Sequence, residues 1–108
     1  MHRFNANKIS EISSSELIEK SKLSIDYFLL DVRELDERNE FNIGGKWIPI
    51  NEIPNRLNEL PDKKNNDEII IYCRSGYRSA NVCHYLNELG YKNVFNLKGG
   101  ILNWNNEH

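Results

Sequence analysis

The stretch Ile69-Ile70-Ile71-Tyr72-Cys73-Arg74-Ser75-Gly76-Tyr77-Arg78-Ser79 restricts the fold more than any other part of the 108-residue chain. Its apolar, mostly β-branched start suits a strand covered on both faces, as in a parallel sheet. Beyond it, Ala80, Val82, Cys83, Leu86 and Leu89 recur at roughly helical spacing up to Gly90. The residues between must therefore carry the chain from the carboxyl end of a strand to the amino end of a helix. Such a junction gathers unpaired backbone N–H groups and the positive helix end at one point, where a thiolate or an oxyanion is stabilised. Cys73 stands at that point. Arg74 and Arg78 add positive charge there, and Gly76 permits the backbone to curl round an anion. A cysteine after a strand is commonly a small buried hydrophobe. That role has no use for a glycine and two arginines within the next five residues, so Cys73 is read as a nucleophile held as its thiolate.

The remaining chain alternates in the same manner. Lys8 to Ile12 reads as a first strand, and Ser13 or Ser14 with Glu16 starts a helix over Leu17 to Lys22. Strands are expected at 26–32, 47–50, 69–72 and 93–97. Helices are expected at 35–41, 53–60 (ended by Pro61) and about 77–89, with a last helical turn through Trp104. Asp62 to Asp67 reads as a solvated turn. Five strands alternating with helices predict an α/β fold: a five-stranded, mainly parallel sheet with helices on both faces.

The length suits one small domain over 1–108, with its core at about 8–105. A net charge of −2 gives neither a nucleic-acid footprint nor a polybasic membrane patch. No apolar stretch resembles a signal peptide or approaches transmembrane length, so a cytoplasmic location is the default expectation. Two cysteines do not make a disulfide framework. The sixteen asparagines are scattered and form no prion-like tract.

With the loop in view, the chain resembles the rhodanese family of sulfurtransferases. Tyr27-Phe28-Leu29-Leu30-Asp31-Val32-Arg33-Glu34 resembles the family's strand ending in Asp-Val-Arg. Glu40-Phe41, Gly44-Gly45 and Ile48-Pro49 resemble the segment after it, and Gly90 to Trp104, with Gly99-Gly100-Ile101, resembles its closing strand and Gly-Gly-Ile…Trp signature. The resemblance implies that Cys73 takes a sulfane sulfur from a donor, holds it as a persulfide and passes it to a nucleophilic acceptor. Residues Arg74, Ser75, Gly76, Tyr77 and Arg78 would then surround the outer sulfur with backbone N–H groups, and Arg74 and Arg78 would attract an anionic donor such as thiosulfate. No histidine, metal or cofactor is required if the loop itself activates the thiol. The segment Phe41 to Pro49 is shorter than in many members and lacks their histidine. In this it is similar to rhodanese domains fused to enzymes that adenylylate sulfur-carrier proteins, which points to a carrier protein or a persulfide relay as acceptor.

Two other readings use the same residues. Cysteine-dependent phosphatases and arsenate reductases also place a thiolate in an anion-binding loop, but with five residues between Cys and Arg. Here there are four, Arg74 to Tyr77, a ring better suited to one sulfur than to a tetrahedral oxyanion. A non-catalytic binding module is the third, and such modules usually lose the cysteine. Asp31 and Arg33, at a strand's carboxyl end, are expected to support neighbouring loops by an ion pair or hydrogen bond. Cys83 is expected in the core, His84 on a solvated helix face, and Trp47 and Trp104 as core or rim aromatics. His2 and His108 carry no argument.

Overall fold

The computed structural model describes residues 8–106. Its centre is a five-stranded, wholly parallel sheet of β1 (Ser10–Ile12), β2 (Phe28–Asp31), β3 (Lys46–Trp47), β4 (Ile69–Tyr72) and β5 (Val94–Leu97), in the spatial order β1-β5-β4-β2-β3. The helices are α1 (Ser14–Lys22), α2 (Leu35–Glu40), α3 (Tyr77–Glu88) and α4 (Gly100–Asn106). Of the two serines expected to start α1, Ser13 is the cap and forms a capping box with Glu16: Glu16 N–H donates to Ser13 Oγ, and Ser13 N–H donates to Glu16 Oε1.

β4 is the central strand and is buried on both faces, which explains its unbroken apolar run. Alternation along it divides the core in two. Ile69, Ile71 and Cys73 face α3 and pack with Leu30, Val82, Cys83, Leu86 and Val94. Ile70 and Tyr72 face the other way and join Ile12, Leu17, Leu97 and Ile101 beneath α1 and α4. Cys73 thus continues the inward face of β4 by one residue, which carries its side chain under the start of α3. Cys83 and Trp104 lie where expected, in the core and partly buried against it. His84 is half-buried, not fully solvated; His2 and His108 lie outside the described residues.

Two expected elements take other forms. The strand anticipated at 47–50 is only Lys46–Trp47, although Ile48 and Ile50 still donate to the carbonyls of Asp31 and Val32. Pro49 sits with its ring on the open edge, where no ladder N–H is needed, and caps the 3₁₀ segment that begins at Ile50 and ends the strand. The helix anticipated at 53–60 is two short 3₁₀ segments, Ile50–Asn55 and Leu57–Glu59. Pro54 inside the first removes a donor, and the shorter i→i+3 bonds tolerate that better than a full α-helix. Among the described residues no helix is long and apolar enough to cross a membrane.

Candidate active site

Cys73 leaves β4 at the carboxyl edge of the sheet and is fully buried. Gly76 adopts φ +99°, a conformation open to glycine, and turns the chain into α3. Its side-chain-free position leaves the amino end of α3 without the usual side-chain cap. The sulfur takes over that role. Cys73 Sγ accepts from the backbone N–H of Gly76 at 3.1 Å and from that of Ser79, the third helical residue, at 3.3 Å. The Ser79 hydroxyl also lies 3.3 Å from Sγ. Three donors and the positive end of a twelve-residue helix therefore converge on one sulfur, an arrangement that favours negative charge on it.

The loop is held from both sides. From β5, Asn96 donates through Nδ2 to Gly76 O at 3.1 Å, and its Oδ1 pairs with the Ser79 hydroxyl. From the start of α4, Ile101 N–H donates to Cys73 O and Leu102 N–H to Arg74 O, both at 3.0 Å. This second clamp explains the glycine at position 100. A Cβ on Gly100 would stand 2.5 Å from the carbonyl oxygens of both Cys73 and Arg74, so only glycine lets α4 come this close.

The arginines have different surroundings. Arg78 makes a two-bond fork with Glu37 of α2, which holds the Glu37 carboxyl at about 2, well below its ordinary 4.5. The same fork, against the cost of burial, raises Arg78. Arg33 forks onto the fully buried Asp31 at 2.9 and 3.0 Å, and Arg38 reaches the same carboxylate at 3.1 Å. Burial works against the charge of Arg33, yet Asp31 raises its value overall. Arg33 also donates to Phe41 O, lies over the Tyr72 ring and accepts from Trp47 Nε1 at its carbonyl. The Asp31–Arg33 pair thus ties β2 to the segment 41–47. Burial and then the Asp31 charge push the Tyr72 phenol up to about 12, and it donates to Gly44 O.

Arg74 alone among these arginines is exposed and without an ion pair. It lines a cleft of about 160 Å³ with Arg33, Glu37, Glu40, Phe41 and Leu102. Ser75 and Tyr77 are exposed on the loop's outer side, Tyr77 at 74%. Cys83 is fully buried on α3, and burial pushes its thiol up to about 12, which favours the neutral form at ordinary pH.

Residues 13–107 match the sequence profile of the rhodanese-like domain. The chain belongs to the rhodanese-like domain family. It is 41% identical over 101 residues to YtwF of Bacillus subtilis, covering 93% of this chain and 94% of that one. It is 37% identical over 97 residues to a sulfurtransferase of Allochromatium vinosum, covering 89% and 88%. The crystal structure of a rhodanese-like domain protein from Staphylococcus aureus superposes with a TM-score of 0.80 at 33% identity, covering 89% and 91%.

Within this rhodanese-like domain the structure gathers Cys73, Gly76 and Arg78 around one loop, as the sequence suggests, and sets Asp31 and Arg33 beside it as a buried pair. It also shows contributors that the sequence reading passed over. Ser79 donates its N–H to the sulfur and holds its hydroxyl 3.3 Å from it, although residues 74–78 alone are the expected cradle. The sequence places Asn96 in the closing strand without marking it as a contributor to the site. Its signal was present: in Val94-Phe95-Asn96-Leu97, parity places the asparagine on the same inward face as Val94.

Proposed function

We propose that this protein is a rhodanese-type sulfurtransferase that carries a sulfane sulfur on Cys73. The observation that carries the reading is the convergence of the Gly76 and Ser79 donors on a buried cysteine sulfur. In the first half-reaction the Cys73 thiolate attacks the outer sulfur of a donor such as thiosulfate. The donor's S–S bond breaks and sulfite leaves with the electron pair, so that Cys73 carries a persulfide. In the second, a nucleophilic acceptor attacks the outer sulfur, the persulfide S–S bond breaks, and Cys73 leaves as the thiolate. Each half separates one difficult transfer into an easier displacement, and ping-pong kinetics follow.

Backbone N–H groups of residues 74–78 hold the outer sulfur, and Arg74 attracts the anionic donor. Arg78 serves mainly to orient the loop, because its charge is already met by Glu37. The acceptor is a small thiol, cyanide, a sulfur-carrier protein or another persulfide relay partner, working in the cytoplasm. The proposed chemistry draws its nucleophile, its hydrogen-bond donors and its anion contact from the chain itself.

A phosphatase uses the same thiolate and arginine but must enclose several oxygens. With four residues between Cys73 and Arg78, the cradle fits a single sulfur. The test is to compare thiosulfate-to-cyanide transfer with hydrolysis of para-nitrophenyl phosphate. Turnover in the first assay and none in the second supports the proposal. Cys73-dependent turnover in the second alone overturns it.

A further inference from the structure

Asn96 is an amide buried to 3% exposure on an otherwise apolar strand face, beside Val94 and opposite Ile71. An amide in that setting is tolerated only when both its ends are bonded. Its orientation is fixed by chemistry. Gly76 O can only accept, so the Asn96 NH₂ faces Gly76 and Oδ1 faces the Ser79 hydroxyl. Ser79 has one hydroxyl proton and two acceptors for it, Asn96 Oδ1 and Cys73 Sγ.

We propose that Asn96 is a positioning residue for the Cys73 nucleophile, acting as the second acceptor between which the Ser79 hydroxyl proton moves as the sulfur changes charge. When Cys73 is a thiol, its S–H donates to Ser79 Oγ while the hydroxyl donates to Asn96 Oδ1. Once the thiol proton has left to water, the hydroxyl turns and donates to the thiolate. When the sulfur becomes the inner atom of a persulfide, its charge moves outward and the hydroxyl returns to Asn96. In the thiol and persulfide states Asn96 Oδ1 keeps the hydroxyl, and in the thiolate state it gives the hydroxyl up to the sulfur, so the amide competes with the thiolate for one proton. The Asn96 NH₂ meanwhile steadies Gly76, whose N–H donates to the same sulfur. The persulfide state rests on the function proposed above; the effect on the free thiol does not.

Charged and titratable groups around the sulfur come from the loop and three packed elements. They are Arg74, Arg78 locked to Glu37 of α2, and the neutral Cys83 of α3, with Glu11 of β1 acting on Cys83. None of these touches Asn96 in a hydrogen bond, which allows the effect of changing it to be read separately.

The experiment is the pH profile of Cys73 alkylation by iodoacetamide, which needs no sulfur donor and is therefore informative even if the protein transfers no sulfur. Cys83→Ser serves as the background so that one thiol is read. Asn96→Asp, matched in volume, keeps the hydroxyl proton for itself, adds negative charge and gives up the NH₂ bond that steadies Gly76, and all three act in one direction, so the midpoint should rise by about one pH unit. Asn96→Leu leaves the hydroxyl only the sulfur to donate to, so the midpoint should fall by about half a unit. With Ser79→Ala added, the leucine effect should vanish and the aspartate effect should at least halve. Circular dichroism confirms folding, and the aspartate variant carries the test alone where leucine is not accommodated. Shifts of the same sign from both variants, no shift from Asn96→Asp, or a leucine effect undiminished without the Ser79 hydroxyl overturns the proposal.

Discussion

The guanidinium of Arg78 and the carboxylate of Glu37 meet in a two-bond fork, Nη1 to Oε1 at 2.8 Å and Nη2 to Oε2 at 2.7 Å. The fork joins the active-site helix to α2 and so spans the mouth of the loop. A carboxylate lowered from 4.5 to about 2 contributes stability that is fully present above 4.5 and is lost as pH falls toward 2. Because the pair is partly exposed, its worth lies between that of surface and buried bridges, about 1–2 kcal/mol. Glu37→Gln should lower stability by that amount in urea unfolding at neutral pH. The gap from the parent protein should hold down to about pH 4.5 and close by about pH 2.

Among the described residues lining the cleft, Arg74 is the cation without an ion pair, so it should govern attraction of an anionic donor. Arg74→Ala should raise KM for thiosulfate roughly three- to tenfold, the effect of an ion contact worth about 1 kcal/mol, and leave stability nearly unchanged. Added salt should shrink the difference between the two proteins. Steady-state kinetics at two ionic strengths measure this. An unchanged KM would remove Arg74 from donor binding.

Much of this was legible in the sequence because the central strand and its loop are locally encoded. Ile69 to Tyr72 can hardly be other than a doubly covered strand, and the glycine and arginines after Cys73 point to an anion cradle. The segment 47–60 was not legible in the same way. Its apolar residues, Trp47, Ile48, Ile50, Ile53 and Leu57, fit several periodicities, and Pro49 and Pro54 settle the choice in favour of 3₁₀ turns only once the chain is packed against Val82 and Tyr85. The pairing of Arg78 with Glu37 could not be read either, since it joins residues 41 positions apart. Asn96 was hidden for the same reason: its meaning depends on Ser79 and Gly76, brought to it by the crossover from β4 through α3 to β5.

The clamp from α4 should be intolerant of any side chain at Gly100. At φ +57°, with a Cβ 2.5 Å from two carbonyl oxygens, Gly100→Ala must push α4 off the loop. The expected cost exceeds about 2 kcal/mol and activity should fall with it. Gly44→Ala is the control, because nothing lies within 4 Å of a Cβ there. Thermal melts of both variants, with transfer assays, separate crowding from the loss of a glycine as such.

Cys83 lies in the core, where burial pushes its thiol up to about 12. Cys83→Ser should leave most sulfur transfer intact while costing about 1–3 kcal/mol for a hydroxyl placed among apolar side chains. If that variant stays folded yet loses transfer as completely as Cys73→Ser, a relay between the two cysteines replaces the single-cysteine scheme.

The central claim is that Cys73 itself carries the transferred sulfur. Peptide mass spectrometry of the protein after thiosulfate treatment and mild, non-reducing digestion tests it most directly. The account predicts one extra sulfur on the peptide containing Cys73, removed by cyanide with release of thiocyanate and absent in Cys73→Ser. Sulfur transfer that proceeds with no such adduct on Cys73, or with the sulfur on Cys83 instead, would contradict it.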